Sequence, residues 1–105
     1  QYDVVILDPP AFTKTRSAVE GALRGYKEIN LRGMKLTREG GFFITCSCSQ
    51  HVTPDLFRGM LLEAQKDAHV QLRQIEWRTQ GRDHPILLAS PETQYLKCGI
   101  FQVFK

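Results

Sequence analysis

The sequence predicts an α/β fold of order β-α-β-α-β-β, mostly parallel and closing on an antiparallel strand pair. Three observations carry this. The chain opens on Val4-Val5-Ile6-Leu7, an apolar run without alternation, which reads as a strand buried on both faces. Later segments space their apolar residues three to four apart, the pattern of helices that bury one stripe. The last two strand-like runs have no helical pattern between them, so they pair antiparallel, whereas the earlier connections run over helices and are right-handed crossovers.

The first strand stops at Asp8-Pro9-Pro10, because proline offers no ladder donor and turns the preceding residue away from helix. A carboxylate at the carboxyl end of a parallel strand lies where open α/β sheets hold ligands. An Asx-type turn would use the same residue. After a polar stretch from Thr13 to Ser17, a helical stripe runs through Val19, Leu23, Tyr26, Ile29 or Asn30, Gly33 or Met34, and Leu36. Gly40-Gly41 reads as its left-handed stop. Phe42 to Cys48 is the second strand. Thr53-Pro54-Asp55 starts the next helix with a capping hydroxyl, a first-turn proline and an acid near the dipole. Phe57, Met60 or Leu61, Ala64 and Ala68 mark its face. Val70 to Trp77 is a third strand, with a phase slip near Arg73-Gln74 that suggests a bulge. A loop from Gly81 to Gln94 and a fourth strand from Tyr95 to Lys105 complete the chain.

At 105 residues the chain forms one domain at most. It begins inside a strand at Gln1, so the expectation is a piece of a longer protein. No apolar run approaches the length of a membrane span, and no signal-peptide pattern is present. Three cysteines, two of them as Cys46-x-Cys48, make no disulfide framework, and the expected setting is a reduced cytoplasm. Net charge is +3, unevenly spread. Lys14, Arg16, Arg24, Lys27, Arg32, Lys35 and Arg38 lie close together, opposed there by Glu20 and Glu28. Such a basic segment suits an anionic partner such as nucleic acid, or a solvated helix face.

The second strand ends in Thr45-Cys46-Ser47-Cys48-Ser49-Gln50-His51. Alternation places Cys46 and Cys48 on one side, with Cys48 nearer the tip and the ligand crevice. A thiol there, beside the tip that carries Asp8, is a candidate nucleophile. Cys46 and Cys98 read as small buried hydrophobes. Cys46, Cys48 and His51 lack zinc-site spacing and a second ligand pair, so no metal site is expected. No glycine-rich nucleotide loop appears.

Asp8-Pro9-Pro10-Ala11-Phe12, Arg24-Gly25-Tyr26-Lys27-Glu28-Ile29-Asn30, Ser47-Cys48-Ser49, Asp83-His84-Pro85 and Tyr95-Leu96-Lys97 follow one another in this order. Together they resemble the large-subunit ribosomal RNA cytosine-5 methyltransferases of the bacterial methyltransferase I type, along the whole chain. The resemblance implies the carboxyl-terminal half of a Rossmann-like class I methyltransferase sheet. It also implies transfer of a methyl group from S-adenosylmethionine to a cytosine in 23S rRNA. Cys48 matches the nucleophile of the Ser-Cys-Ser motif. Asp8 matches the carboxylate that meets the pyrimidine edge. Pro9 and Pro10, with Asp8, would form a wall between base and donor. Lys14, Arg24 and Lys27 would meet phosphate, and Tyr26 would stack on a base or simply pack.

Two departures qualify the match. Ala11 stands where the other large branch of RNA cytosine-5 enzymes carries a second cysteine, so the resemblance assigns no residue to removal of the carbon 5 proton. The family's donor-binding glycine loop, its ribose-holding acid and its RNA-binding accessory domain precede the first strand seen here. The isolated chain is therefore expected to be inactive. It is also expected to self-associate through its first strand, as a homodimer, or to dock on the missing amino-terminal half. Two rival readings are an exocyclic-amine or guanine methyltransferase, which needs no thiol, and a non-catalytic half-domain that binds RNA or protein. Asp83-His84-Pro85 is expected at the rim of the active site or as a plain turn.

Overall fold

The computed structural model describes residues 1–10, 18–79, 88 and 96–105. Ala11, Phe12, Lys14, Arg16, Asp83-His84-Pro85 and Tyr95 lie outside them. The elements are β1 (Tyr2–Leu7), α1 (Val19–Leu36), β2 (Thr37–Ser47), α2 (Pro54–Ala68), β3 (Gln71–Arg78) and β4 (Lys97–Phe104). The four strands form one sheet in the order β1-β2-β4-β3. β1 and β2 are parallel, and β4 is antiparallel to both β2 and β3. The expected element order and the closing antiparallel pair are both present.

α2 forms as its sequence predicts. The Thr53 hydroxyl accepts from the Leu56 N–H at 3.2 Å, and Pro54 occupies the first turn, where its missing donor costs nothing. Phe57, Met60, Leu61, Ala64 and Ala68 are all buried. The helix closes on His69 in the left-handed conformation (φ 57°), whose N–H meets the Lys66 carbonyl.

α1 ends earlier than Gly40-Gly41 suggests. Its last turn is closed at Thr37, whose hydroxyl donates to the Gly33 carbonyl at 2.9 Å and whose N–H faces the same turn. Thr37 is already extended and pairs with Tyr2, so the sheet captures the chain directly after Leu36. Leu36, placed on the buried stripe by its spacing, is exposed. The two glycines instead serve an irregularity inside β2. Register jumps from Tyr2↔Thr37 to Val4↔Phe42, and Gly40 takes φ +77°. A Cβ on Gly41 would lie 2.8 Å from the Asp3 carbonyl oxygen. The bulge in β3 falls between Gln74 and Glu76, leaving Ile75 as the extra residue, one position beyond the expected slip.

Both helices cover one face of the sheet. Tyr26 and Met34 from α1, and Phe57, Met60, Leu61 and Ala64 from α2, share one core with Phe43, Phe101 and Val103. Tyr26 meets Phe57 edge to face at 6.1 Å, and Phe57 meets Trp77 at the same distance. The Arg58 guanidinium lies 3.9 Å from the Trp77 ring centroid. The expectation that β1 is buried on both faces is not met among the described residues. Val5 and Leu7 pack against the core, but Tyr2 (62%), Val4 (50%) and Ile6 (63%) are exposed. β1 is also an edge strand of the sheet, and its second apolar face has no cover among the described residues.

At Gly33 α1 lies close against the sheet. An added Cβ would lie 2.7 Å from the Phe43 ring and 2.9 Å from Leu7 Cδ1. Gly33→Ala is expected to destabilise the protein by about 1–3 kcal/mol through overpacking. Gly59, inside α2, faces nothing within 4 Å. Gly59→Ala should add about 0.4–1 kcal/mol by raising helix propensity and restricting the unfolded chain. Urea denaturation of both variants checks the pair, and the opposite signs would contradict this packing.

Candidate active site

The site is built at the carboxyl end of β2 by strict alternation. Thr45, Ser47 and Ser49 turn toward the helices and are buried, whereas Cys46 is half-buried on the opposite side and Cys48 is exposed. The Thr45 and Ser47 hydroxyls are both engaged. Thr45 Oγ1 donates to Asn30 Oδ1, while Asn30 Nδ2 donates to the Tyr26 carbonyl at 2.7 Å. Ser47 Oγ donates to the Tyr26 hydroxyl at 3.2 Å and accepts from the Ser49 N–H at 3.4 Å. These contacts tie the strand tip to α1 and explain why polar residues fill interior positions.

Lys97, the first residue of β4, completes this arrangement. It pairs in register with Ser47 and is fully buried. Its Nζ donates to the Ser49 carbonyl at 2.5 Å, and the same carbonyl accepts from the Val52 N–H at 3.3 Å. Burial pushes the Lys97 ammonium down to about 8, partly offset by the nearby Cys48. Lys97 stands in the Tyr95-Leu96-Lys97 motif, from which the sequence alone assigns it no role. The available signal was a lysine on the same alternating phase as the interior residues Phe101 and Val103.

The three cysteines separate sharply. Cys46 faces Cys98 across the β2–β4 pair, with the two sulfurs 3.0 Å apart. Burial, followed by the hydrogen bond to Cys98, pushes the Cys46 thiol up to about 12, so it stays protonated. Their reading as quiet, packed residues agrees with this environment, although sequence spacing does not reveal their contact. Cys48 alone stands exposed at the tip. Leu7 pairs with Thr45, so Asp8 follows beside the Cys46 level, close enough to act on that thiol electrostatically. Asp8 and Pro10 are exposed and Pro9 is half-buried. The two strand tips therefore present a carboxylate, two rigid rings and a thiol together.

The residues expected to meet RNA are distributed differently. Tyr26 is buried within the core, so it packs and does not offer its ring to a base. Lys27 contacts Asp67 at 2.8 Å and Glu63 at 4.0 Å on α2. That hydrogen bond to Asp67 raises Lys27 above the usual lysine range and lowers Asp67 below the usual carboxylate range. Arg24 is exposed and, with Lys27, lines a cleft of about 300 Å³ between the helices, where Asp55 and Glu63 give mixed charge. Arg32 pairs with Glu28 at 2.8 Å and Arg38 with Asp3 at 2.5 Å. Lys27, Arg32 and Arg38 of the basic segment are thus each paired with a carboxylate. Among the described residues no three His, Cys, Asp or Glu side chains gather to hold a metal ion, and no helix is long and apolar enough to cross a membrane.

Comparison with known proteins places this arrangement in context. No family model matches the chain. It is 42% identical over 103 residues to a Methanocaldococcus jannaschii protein named, provisionally, as a ribosomal RNA large subunit methyltransferase. It is 42% identical over 97 residues to ribosomal RNA large subunit methyltransferase I of Escherichia coli. These alignments cover 98% and 92% of the chain, which spans about a quarter of each relative. Among solved structures, a provisionally assigned methyltransferase complexed with S-adenosylhomocysteine superposes with a TM-score of 0.80 at 18% identity. The match covers 97% of this chain and 26% of that one. A protein described as a SAM-dependent methyltransferase from Streptococcus mutans gives 0.79 at 17% identity, covering 97% and 25%. The fold is that of part of a Rossmann-like methyltransferase sheet.

Lys97 supplies a test of the site's electrostatics. Below about pH 8 it is charged in both states, and the folded state bears the full burial cost. Between pH 8 and its ordinary 10.5, the unfolded chain still holds a proton that the folded one has released, so stability rises with pH. Cys46 opposes this above its ordinary 9.0, because the unfolded thiol ionises first. The difference between the unaltered protein and Lys97→Met isolates the lysine. That difference should shift in favour of the unaltered protein by about 1–2 kcal/mol from pH 8 to pH 10, after solvent screening near the tip. A pH-independent difference in denaturation free energy would contradict the burial.

Proposed function

We propose that the protein is an S-adenosylmethionine-dependent RNA methyltransferase that methylates carbon 5 of a cytosine in large-subunit (23S) rRNA, in the cytoplasm, through a covalent Cys48 adduct. The observation that carries the reading is the exposed Cys48 thiol on the β2 tip, beside Asp8 on the β1 tip, with Cys46 sequestered against Cys98. The names of the relatives support the substrate class, and the S-adenosylhomocysteine complex of a structural neighbour supports the donor.

The residues present fit one side of such a donor. Asp8 offers a carboxylate that favours a sulfonium, and Pro9 and Pro10 offer a rigid wall. When bound, S-adenosylmethionine supplies an electrophilic methyl carbon. Carbon 5 of cytosine is too poor a nucleophile to take it unaided. The Cys48 thiolate adds to carbon 6, and the electrons of the 5,6 double bond move to carbon 5. Asp8 holds the exocyclic amine or ring nitrogen and orients the ring. After methylation, loss of the carbon 5 proton restores the double bond and returns the electrons of the carbon–sulfur bond to Cys48. Arg24 and Lys14 serve phosphate contacts, with Lys27 shared between phosphate and α2. In this reading the rest of the donor pocket comes from residues preceding β1. The 105 residues alone therefore transfer no methyl group, and they associate through the β1 edge or with that missing part.

Cys48→Ala in the full-length protein should abolish methyl transfer to rRNA, with Cys46→Ala retaining most of it. Incorporation of labelled methyl groups measures both. Retained transfer by Cys48→Ala would favour the exocyclic-amine reading instead.

A further inference from the structure

The mechanism above leaves unused a fully buried cation directly beneath the nucleophile's peptide. We propose that Lys97 is a positioning residue for Cys48: it fixes the Ser47-Cys48-Ser49 tip through the Ser49 carbonyl and faces the ionised sulfur with a positive charge. This deepens the reading of Cys48 as nucleophile and rests on it.

Three observations lead there. Lys97 sits on a strand position whose alternate neighbours Gly99, Phe101 and Val103 are buried, so its ammonium is kept in the interior at a real desolvation cost. Its 2.5 Å bond ends on the carbonyl of the residue after Cys48, which sets the direction in which the tip carries the thiol. Ser49 also closes the turn to Val52 that leads into α2, so one lysine anchors both sides of the tip. Cys48 is near enough to favour the charged form of Lys97.

Most other titratable groups around the tip cannot supply this charge. Asp8 from β1, Cys46 from β2 and Cys98 from β4 add negative charge on ionisation. Tyr26, packed below from α1, does the same, and His51, in the turn that follows, is the other group there able to carry positive charge. When Cys48 ionises, its proton passes to solvent and the sulfur keeps the electron pair. Below about pH 8 the Lys97 ammonium keeps its three protons, so an ion pair forms across the tip. A thiolate nucleophile requires such an electropositive setting.

The test needs neither donor nor RNA. Alkylation of Cys48 by iodoacetamide is followed from pH 5.5 to 10 in the full-length protein and located by fragment mass spectrometry. In Lys97→Met the profile should move up by about one pH unit, a roughly tenfold slower reaction at pH 7. Lys97→Arg, which keeps the charge, should lie close to the unaltered protein. Superimposable profiles for Lys97→Met and the unaltered protein would overturn the proposal. If Lys97→Met does not fold, Lys97→Gln is read in its place, and a profile superimposable on that of the unaltered protein would overturn the proposal. Loss of the Lys97 effect with methyl transfer still dependent on Cys48 refutes this inference alone. A Lys97-dependent profile with Cys48→Ala still active refutes the nucleophile reading instead.

Discussion

The alternation of β2 against its buried hydroxyl ladder is the constraint on which the site depends. Thr45 engages Asn30 and Ser47 engages Tyr26 through their hydroxyls, and Ser49 engages Lys97 through its backbone carbonyl, so three successive interior positions of the tip are each held by a different residue. Buried hydroxyls without partners would be costly, so a one-residue slip of β2 is strongly opposed. That register forces Cys46 and Cys48 to the other side. It also sets β4, because Cys46 faces Cys98 and Ser47 faces Lys97 in the same ladder. The position of the thiol is therefore a consequence of packing on the opposite face.

Two cysteines two residues apart then acquire different chemistry. Cys46 is far enough inside the sheet to meet Cys98 and to be held as a thiol by burial. Cys48 lies past the last strand residue, where solvent and a substrate can reach it. Sheet geometry at a strand end thus distinguishes a quiet thiol from an accessible one without any difference in local composition. Asp8 arrives at the same level because β1 and β2 are parallel, which brings both carboxyl ends to one edge. The helices stay behind the site, joined to each other by Lys27 with Asp67 and by the Tyr26–Phe57 contact.

Local signals were the most legible in the sequence. α2 is readable almost residue by residue, since its cap, first-turn proline and buried stripe are all short-range features. The antiparallel closing pair and the bulge in β3 also follow from pattern. Gly40-Gly41 misdirects because a glycine pair serves equally as a helix stop or a strand irregularity, and only the pairing of Tyr2 with Thr37 decides between them. Tyr26 shows the same ambiguity in a side chain: its ring suits a base or a core, and Phe57 settles it. The Cys46–Cys98 contact, the burial of Lys97 and the Lys27–Asp67 and Arg38–Asp3 pairs depend on register between distant strands or on helix docking, which periodicity does not encode. The second face of β1 is apolar in sequence, and its Tyr2, Val4 and Ile6 are exposed in the structure.

The central claim is that the Cys48 sulfur bonds to a cytosine during turnover. Ribosomal RNA carrying 5-fluorocytosine blocks loss of the substituent at carbon 5 and leaves such a bond unresolved. Incubation of the full-length protein with this RNA and S-adenosylmethionine, followed by nuclease digestion and mass spectrometry, reads the bond directly. The account predicts a denaturation-resistant adduct on Cys48, absent from Cys48→Ala and retained in Cys46→Ala. No adduct despite methyl transfer to unmodified RNA, or an adduct on Cys46, would contradict it.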